Sequence, residues 1–168
     1  MKKMILLAAL GLVVLASCKK SGSSAPITTA NTITGVVDGK TFTCNERFAL
    51  ESYSYMNDTT TWFGFDAYAY DSSNNEFYFE ADQAKKVPTP KVYGALGDST
   101  TYAYVEFDST SGGWWGSETK LNPTTITITS TGGQAVQGTF QGTLYLYGDS
   151  TSTNTKVVTN GKFNIPVL

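Results

Sequence analysis

Histidine is absent from the 168 residues. That removes His-based triads, Cys-His dyads and the usual zinc sites together. No Gly-x-Ser-x-Gly elbow, P-loop or dinucleotide fingerprint is present either. What remains for chemistry is carboxylates and aromatic rings. Glu76 with Glu80, and Glu106 with Asp108, are the acid pairs that could serve a glycosidase, although acids are also the expected filling of a solvated strand face. Ten tyrosines, nine phenylalanines and three tryptophans accompany them. Tyr68, Tyr78, Tyr102 and Tyr104 fall beside acids, with Glu106 among them. Rings bearing hydroxyls next to carboxylates suit sugars, whose C–H faces stack and whose hydroxyls need acceptors. Cross-strand tyrosines also stabilise a bare sheet face, so parity alone leaves both readings open. Trp114 and Trp115, between Gly112-Gly113 and Gly116, point to opposite faces if extended. One is expected in the core and one free at the rim. The expected ligand set is therefore Tyr68, Tyr78, Tyr102, Tyr104, Glu106, Trp114 and Trp115. No catalytic residue, metal site or cofactor is expected.

The other reactive side chains are two cysteines. Lys2 and Lys3 precede an apolar run from Met4 to Ala16, too short to span a bilayer, which takes about 20 residues. Its length fits the apolar part of a secretory signal, and Ala16 and Ser17 fit a cleavage site. Leu15-Ala16-Ser17-Cys18 resembles the lipobox of bacterial lipoproteins. The resemblance implies a Cys18 thiol joined to diacylglycerol, a cut just before it and an acylated new amine. Cys44 then has no disulfide partner and is expected to behave as a small buried hydrophobe.

Charge narrows the partners. The chain carries 12 Lys+Arg and 14 Asp+Glu. Loss of residues 1–17 leaves 10 against 14, and Lys19 and Lys20 lie beside the anchor. An acidic domain whose one arginine is Arg47 is a poor nucleic-acid binder, since phosphate affinity needs clustered Lys and Arg.

The elements that position these groups read as strands. Residues 18–31 form a Ser/Thr/Gly/Ala-rich tether after the lipid site, and 32–168 form one domain. Asp38-Gly39 between two apolar runs is a two-residue hairpin signal. Trp62–Tyr70 places Phe63, Phe65, Ala67 and Ala69 on one face and Asp66, Tyr68 and Tyr70 on the other. Glu76–Ala81 and Tyr102–Asp108 repeat the pattern. Thr124–Thr129 and Ala135–Tyr147 follow, with Gly138 and Gly142 on an apolar face where a close approach is needed. Gln83–Gly97, with Pro88 and Pro90, reads as a crossing loop. Asn160-Gly161 is either a hairpin turn or a bulge within one strand. The expectation is an all-β antiparallel barrel or sandwich of about 8–10 strands. Phe65, Phe79, Phe107, Ile128, Phe140 and Leu144 should share its core. In a barrel the tyrosine side can be the lumen; in a sandwich it is the wet exterior.

The opening VVDGKTF and the closing VQGTFQGTLYLY with VVTNGKFNIPV resemble the start and end of a group of small, uncharacterised β-rich lipoproteins of Gram-negative bacteria. The likeness runs over roughly residues 32–168. It implies architecture and brings no activity with it. Four segments, Asp58-Thr59-Thr60, Asp98-Ser99-Thr100, Asp108-Ser109-Thr110 and Asp149-Ser150-Thr151, resemble the acceptor of a periplasmic O-glycosylation system. Asp and Ser also favour turn starts.

The expected function is a membrane-anchored, non-enzymatic binding or interaction module of the cell envelope. Its partners would be the membrane, through the lipid, and a glycan or an envelope protein. The expected location is the outer membrane, facing the periplasm. A structural accessory of an envelope complex and a glycoside hydrolase are the alternatives.

Overall fold

A computed structural model describes residues 31–117, 124–132, 134–147 and 153–167. The signal segment, Cys18, the tether and Asp149-Ser150-Thr151 lie outside them. The described chain is all-β: β1 (Thr32–Val37), β2 (Lys40–Cys44), β3 (Glu46–Asn57), β4 (Thr60–Tyr70), β5 (Glu76–Ala84), β6 (Val92–Tyr93), β7 (Thr101–Ser109), β8 (Gly113–Ser117), β9 (Thr125–Ser130), β10 (Ala135–Leu146) and β11 (Thr155–Pro166). These make one antiparallel sheet, in the order β2-β1-β11-β10-β8-β7-β5-β4-β3, curled into a half-barrel. The sandwich alternative is thereby removed, and the strand count is eleven rather than eight to ten. β10 shares one edge between two partners. Gln137–Gln141 pair with β9, and Leu144–Leu146 pair with β8. The short β6 pairs with β9. It arises inside the stretch read as a crossing loop, where Tyr93 is fully buried.

The alternation of apolar and polar residues fixes the curl. Phe65, Phe79, Phe107, Ile128, Phe140 and Leu144 are all buried in one cluster with Ile33, Phe77, Phe163 and Ile165. Rings from opposite walls meet inside it: Phe79 lies 4.4 Å from Phe163 and 6.0 Å from Phe140, centroid to centroid. The phenylalanine side is therefore the packed interior, and the tyrosine side is the convex exterior. The lumen alternative does not hold.

Turn and bulge chemistry sets the register. Asp38 and Gly39 have φ of 48° and 81°, the pair of left-handed residues a type I′ hairpin requires. Asn160-Gly161 lies within the continuous strand β11, as a bulge. Phe140 pairs with Gly161 and Gly142 with Val158, so one residue slips between them. A Cβ on Gly138 would sit 2.2 Å from the Thr127 carbonyl oxygen and 2.4 Å from the Phe163 ring. Only glycine lets β9, β10 and β11 close here.

Cys44 is buried, with its thiol 3.7 Å from the Asn75 carbonyl. Burial pushes that thiol up to about 12, which leaves it protonated and unreactive. Asp98 of the second Asp-Ser-Thr segment accepts from the Thr100 N–H at 2.8 Å and from the Thr100 and Thr101 hydroxyls at 2.6 Å. These bonds hold its carboxyl down to about 2 and account for the segment as turn chemistry.

Candidate tyrosine–carboxylate face

Antiparallel pairing turns the alternation of four strands into transverse rows on the convex side. One row runs Tyr53, Gly64, Asp82, Tyr102. The next runs Glu51, Asp66, Glu80, Tyr104. The third runs Tyr68, Tyr78, Glu106, Gly116, Tyr145, and the fourth Tyr70, Glu76, Asp108, Trp114. The expected residues Tyr68, Tyr78, Tyr102, Tyr104 and Glu106 thus share one face. Tyr78 and Tyr104 pack edge to face at 6.1 Å. The Tyr104 hydroxyl donates to Glu106 at 2.9 Å, and Trp114 stands one row on, opposite Asp108. Gly116 is what lets the Tyr104 ring lie flat, since a Cβ there would meet its hydroxyl at 2.3 Å.

The two tryptophans part as strand geometry requires. Trp114 is 44% exposed and stacks on Tyr147 at 4.3 Å. Trp115 is a correction to the expected ligand set. It is buried in the core, and its indole N–H donates to the Gly112 carbonyl at 2.8 Å. Pairing with Phe107 fixes that direction, so Trp115 cannot serve the rim.

Sequence parity missed the most strongly interacting group on this face. Tyr53 donates toward Glu80 at 2.7 Å and Asp82 at 2.6 Å, and Tyr55 donates to Asp82 at 2.9 Å. Asp82 is fully buried. The signal was available, because carrying the alternation of β5 past Ala81 puts Asp82 on the same side as Glu80. The acid pairs first considered, Glu76 with Glu80 and Glu106 with Asp108, are spaced along single strands. The closer partners lie across strands, Asp66 opposite Glu80 and Glu76 opposite Asp108.

Electrostatics follow from crowding acids among rings. Among the described residues the one ion pair is Lys156–Asp38, away from this face. Burial pushes Glu80 up to about 7. The Tyr53 hydrogen bond opposes this, and the charge of Asp82 adds to it. Glu106, Glu76 and Asp66 are raised too, each chiefly by burial. The Tyr53 phenol has one proton for two carboxylate acceptors, so the trio is best satisfied when Glu80 holds a proton.

A pH dependence follows. In the unfolded chain Glu80 ionises near 4.5, and in the folded chain near 7. Between those values the folded state binds more protons, so stability falls as pH rises. After discounting for solvent screening at a half-buried group, the loss is about 1–2 kcal/mol. Glu80→Gln should raise the melting temperature at pH 8 and leave it nearly unchanged at pH 4. Melts in which the variant gains nothing at pH 8 would contradict the raised carboxyl.

A cleft borders this face at Tyr53 and Gly64. It holds about 490 Å³ between the β3–β4 edge and the ends of β10 and β11. Leu50, Phe63, Phe65, Val87, Val136 and Val167 supply its apolar lining. No family model, curated protein or solved structure matches the chain.

Proposed function

We propose that the chain is a lipid-anchored protein of the cell envelope whose β-domain is a non-enzymatic binding module, with the convex tyrosine–carboxylate face as its contact surface. The observation that carries this reading is the joining of Tyr78, Tyr104 and Glu106 into one aromatic–acid group, by ring contact and by the Tyr104–Glu106 hydrogen bond, with the exposed Trp114 beside it. Among the described residues Glu106 has no ion-pair partner, and Tyr104 donates to one of its oxygens, Oε2. Rings beside acceptors favour a glycan. An open convex surface takes a chain lying along it rather than a small molecule enclosed in it.

The lipid anchor follows from the lipobox resemblance at Cys18, and an outer-membrane, periplasm-facing position is proposed with it. In affinity electrophoresis of the mature protein against envelope polysaccharides, Tyr78→Ala, Tyr104→Ala and Glu106→Gln should each weaken retention about tenfold, about 1.4 kcal/mol. Retention that all three variants share with the unaltered chain would reject the face. An accessory role in a larger complex is the second reading, and the apolar cleft beside a free strand edge favours it.

A further inference from the structure

Among the described residues the main path of the curled sheet does not close and ends at β2 and β3. They differ in what guards them. β2 is five residues long and carries Lys40, both devices that discourage strand addition. β3 is twelve residues long. Its protection is confined to its start, where Arg47 has a φ of 45° and the register slips between Glu46 and Ala49. From Ala49 to Asn57 it has neither proline nor lysine. Its only pairing among the described residues is with β4. Tyr55 and Met56 are 42% and 72% exposed on it.

The two sides of that edge differ in chemistry. On the inner side Leu50, Ser52 and Ser54 border the apolar cleft with Phe63, Phe65 and Val136. On the outer side Glu51 stands in a row with Asp66 and Glu80, Tyr53 in a row with Asp82, and the Tyr55 hydroxyl donates to Asp82. Strands β3, β4 and β5 carry one basic residue, Arg47, against Glu46, Glu51, Asp66, Glu76, Glu80 and Asp82.

We propose that the β3 edge and the adjoining cleft receive an extended segment of another protein, added as a further strand, whose residues alternate apolar and basic. Main-chain hydrogen bonds to the free edge would supply affinity, and alternate side chains would supply selectivity. Apolar residues would fill the cleft, and Lys or Arg would lie over Glu51 and the carboxylates behind it. A second copy of this chain fits worse. Pairing β3 with β3 would align the same acidic rows of both copies on one face, where like charges repel. This site is separate from the Tyr78–Tyr104–Glu106 group and does not depend on the glycan reading.

The probe is a labelled peptide of alternating valine and lysine, about nine residues long to match a strand, titrated by fluorescence anisotropy into the full mature chain in neutral detergent. It should bind at least about tenfold more tightly than a peptide of the same residues in two blocks. Methylating one alternate set of its backbone nitrogens should abolish binding, while methylating the other set should not. Glu51→Lys, at an exposed position, should weaken binding about tenfold with an unchanged melting temperature, and Tyr104→Ala should leave it intact. Failure of binding overturns the proposal. So do equal binding of the block peptide, tolerance of both methylated peptides, and a dimer by light scattering that Glu51→Lys dissociates.

Discussion

Phe140→Ala should cost about 3–5 kcal/mol in urea denaturation of the mature chain, the loss expected of a buried aromatic. The ring is 3% exposed. It faces Phe77 at 5.5 Å and Phe79 at 6.0 Å, both on β5, across the interior. Phe140 therefore joins walls that are not neighbours in the sheet. The gap would be hard to fill. Behind the ring are Gly161 and Gly35, where a Cβ would lie 2.6 Å and 3.6 Å from Phe140 atoms. Neither glycine has a side chain to swing into the space, and the bulge at Asn160-Gly161 holds the backbone in register. Tyr145→Ala is the control. That ring is also buried, at 8% exposure, but it lies on the convex face opposite Gly116. It bridges no opposite wall, and its loss should cost less than half as much. A larger loss from Tyr145→Ala would mean that the interior and exterior faces have been exchanged.

Cys18→Ser should abolish incorporation of labelled palmitate completely and leave the precursor uncut by the lipoprotein peptidase. The effect is all or none because serine offers no thiol for the diacylglycerol, and the peptidase of the family this segment resembles acts on the modified cysteine. The anchor that the lipobox resemblance implies is a strong one. A single acyl chain binds membranes marginally, with a constant on the order of 10⁴ M⁻¹, and a second makes attachment stable. The three chains of a lipoprotein exceed that. Palmitate label on the serine variant would refute the assignment. The β-domain should fold alike in both proteins, since position 18 precedes its first strand, which begins at Thr32.

Much of the fold was legible in residue order because period-two alternation is local. The runs in β4, β5 and β7 name their own inner and outer faces, and Asp38-Gly39 names its own turn. The same runs carried Tyr68, Tyr78, Tyr102, Tyr104 and Glu106 to one side. Strand ends were less legible. β5 runs past Ala81 to Ala84 and β3 reaches Asn57, because cross-strand pairing with β4 sustains residues whose own pattern is weak. Asp82 and Tyr55 were missed for that reason. β6 was missed because two residues cannot announce a strand, and its partner β9 lies far along the chain.

By itself the sequence determined an acidic all-β chain without histidine chemistry, a lipobox resemblance at Cys18, and the two-faced character of each central strand. These rest on composition and on spacing within one segment. Which face became the interior, and whether the strands formed one sheet or two, depended on contacts between segments distant in the chain. Phe79 meets Phe163, and Tyr53 meets Asp82, only because the sheet curls. Trp114 and Trp115 were interchangeable until pairing with Asp108 and Phe107 sent one outward and one inward. The open β3 edge likewise exists only in three dimensions, because a strand's second edge is free or paired according to where the rest of the chain has gone.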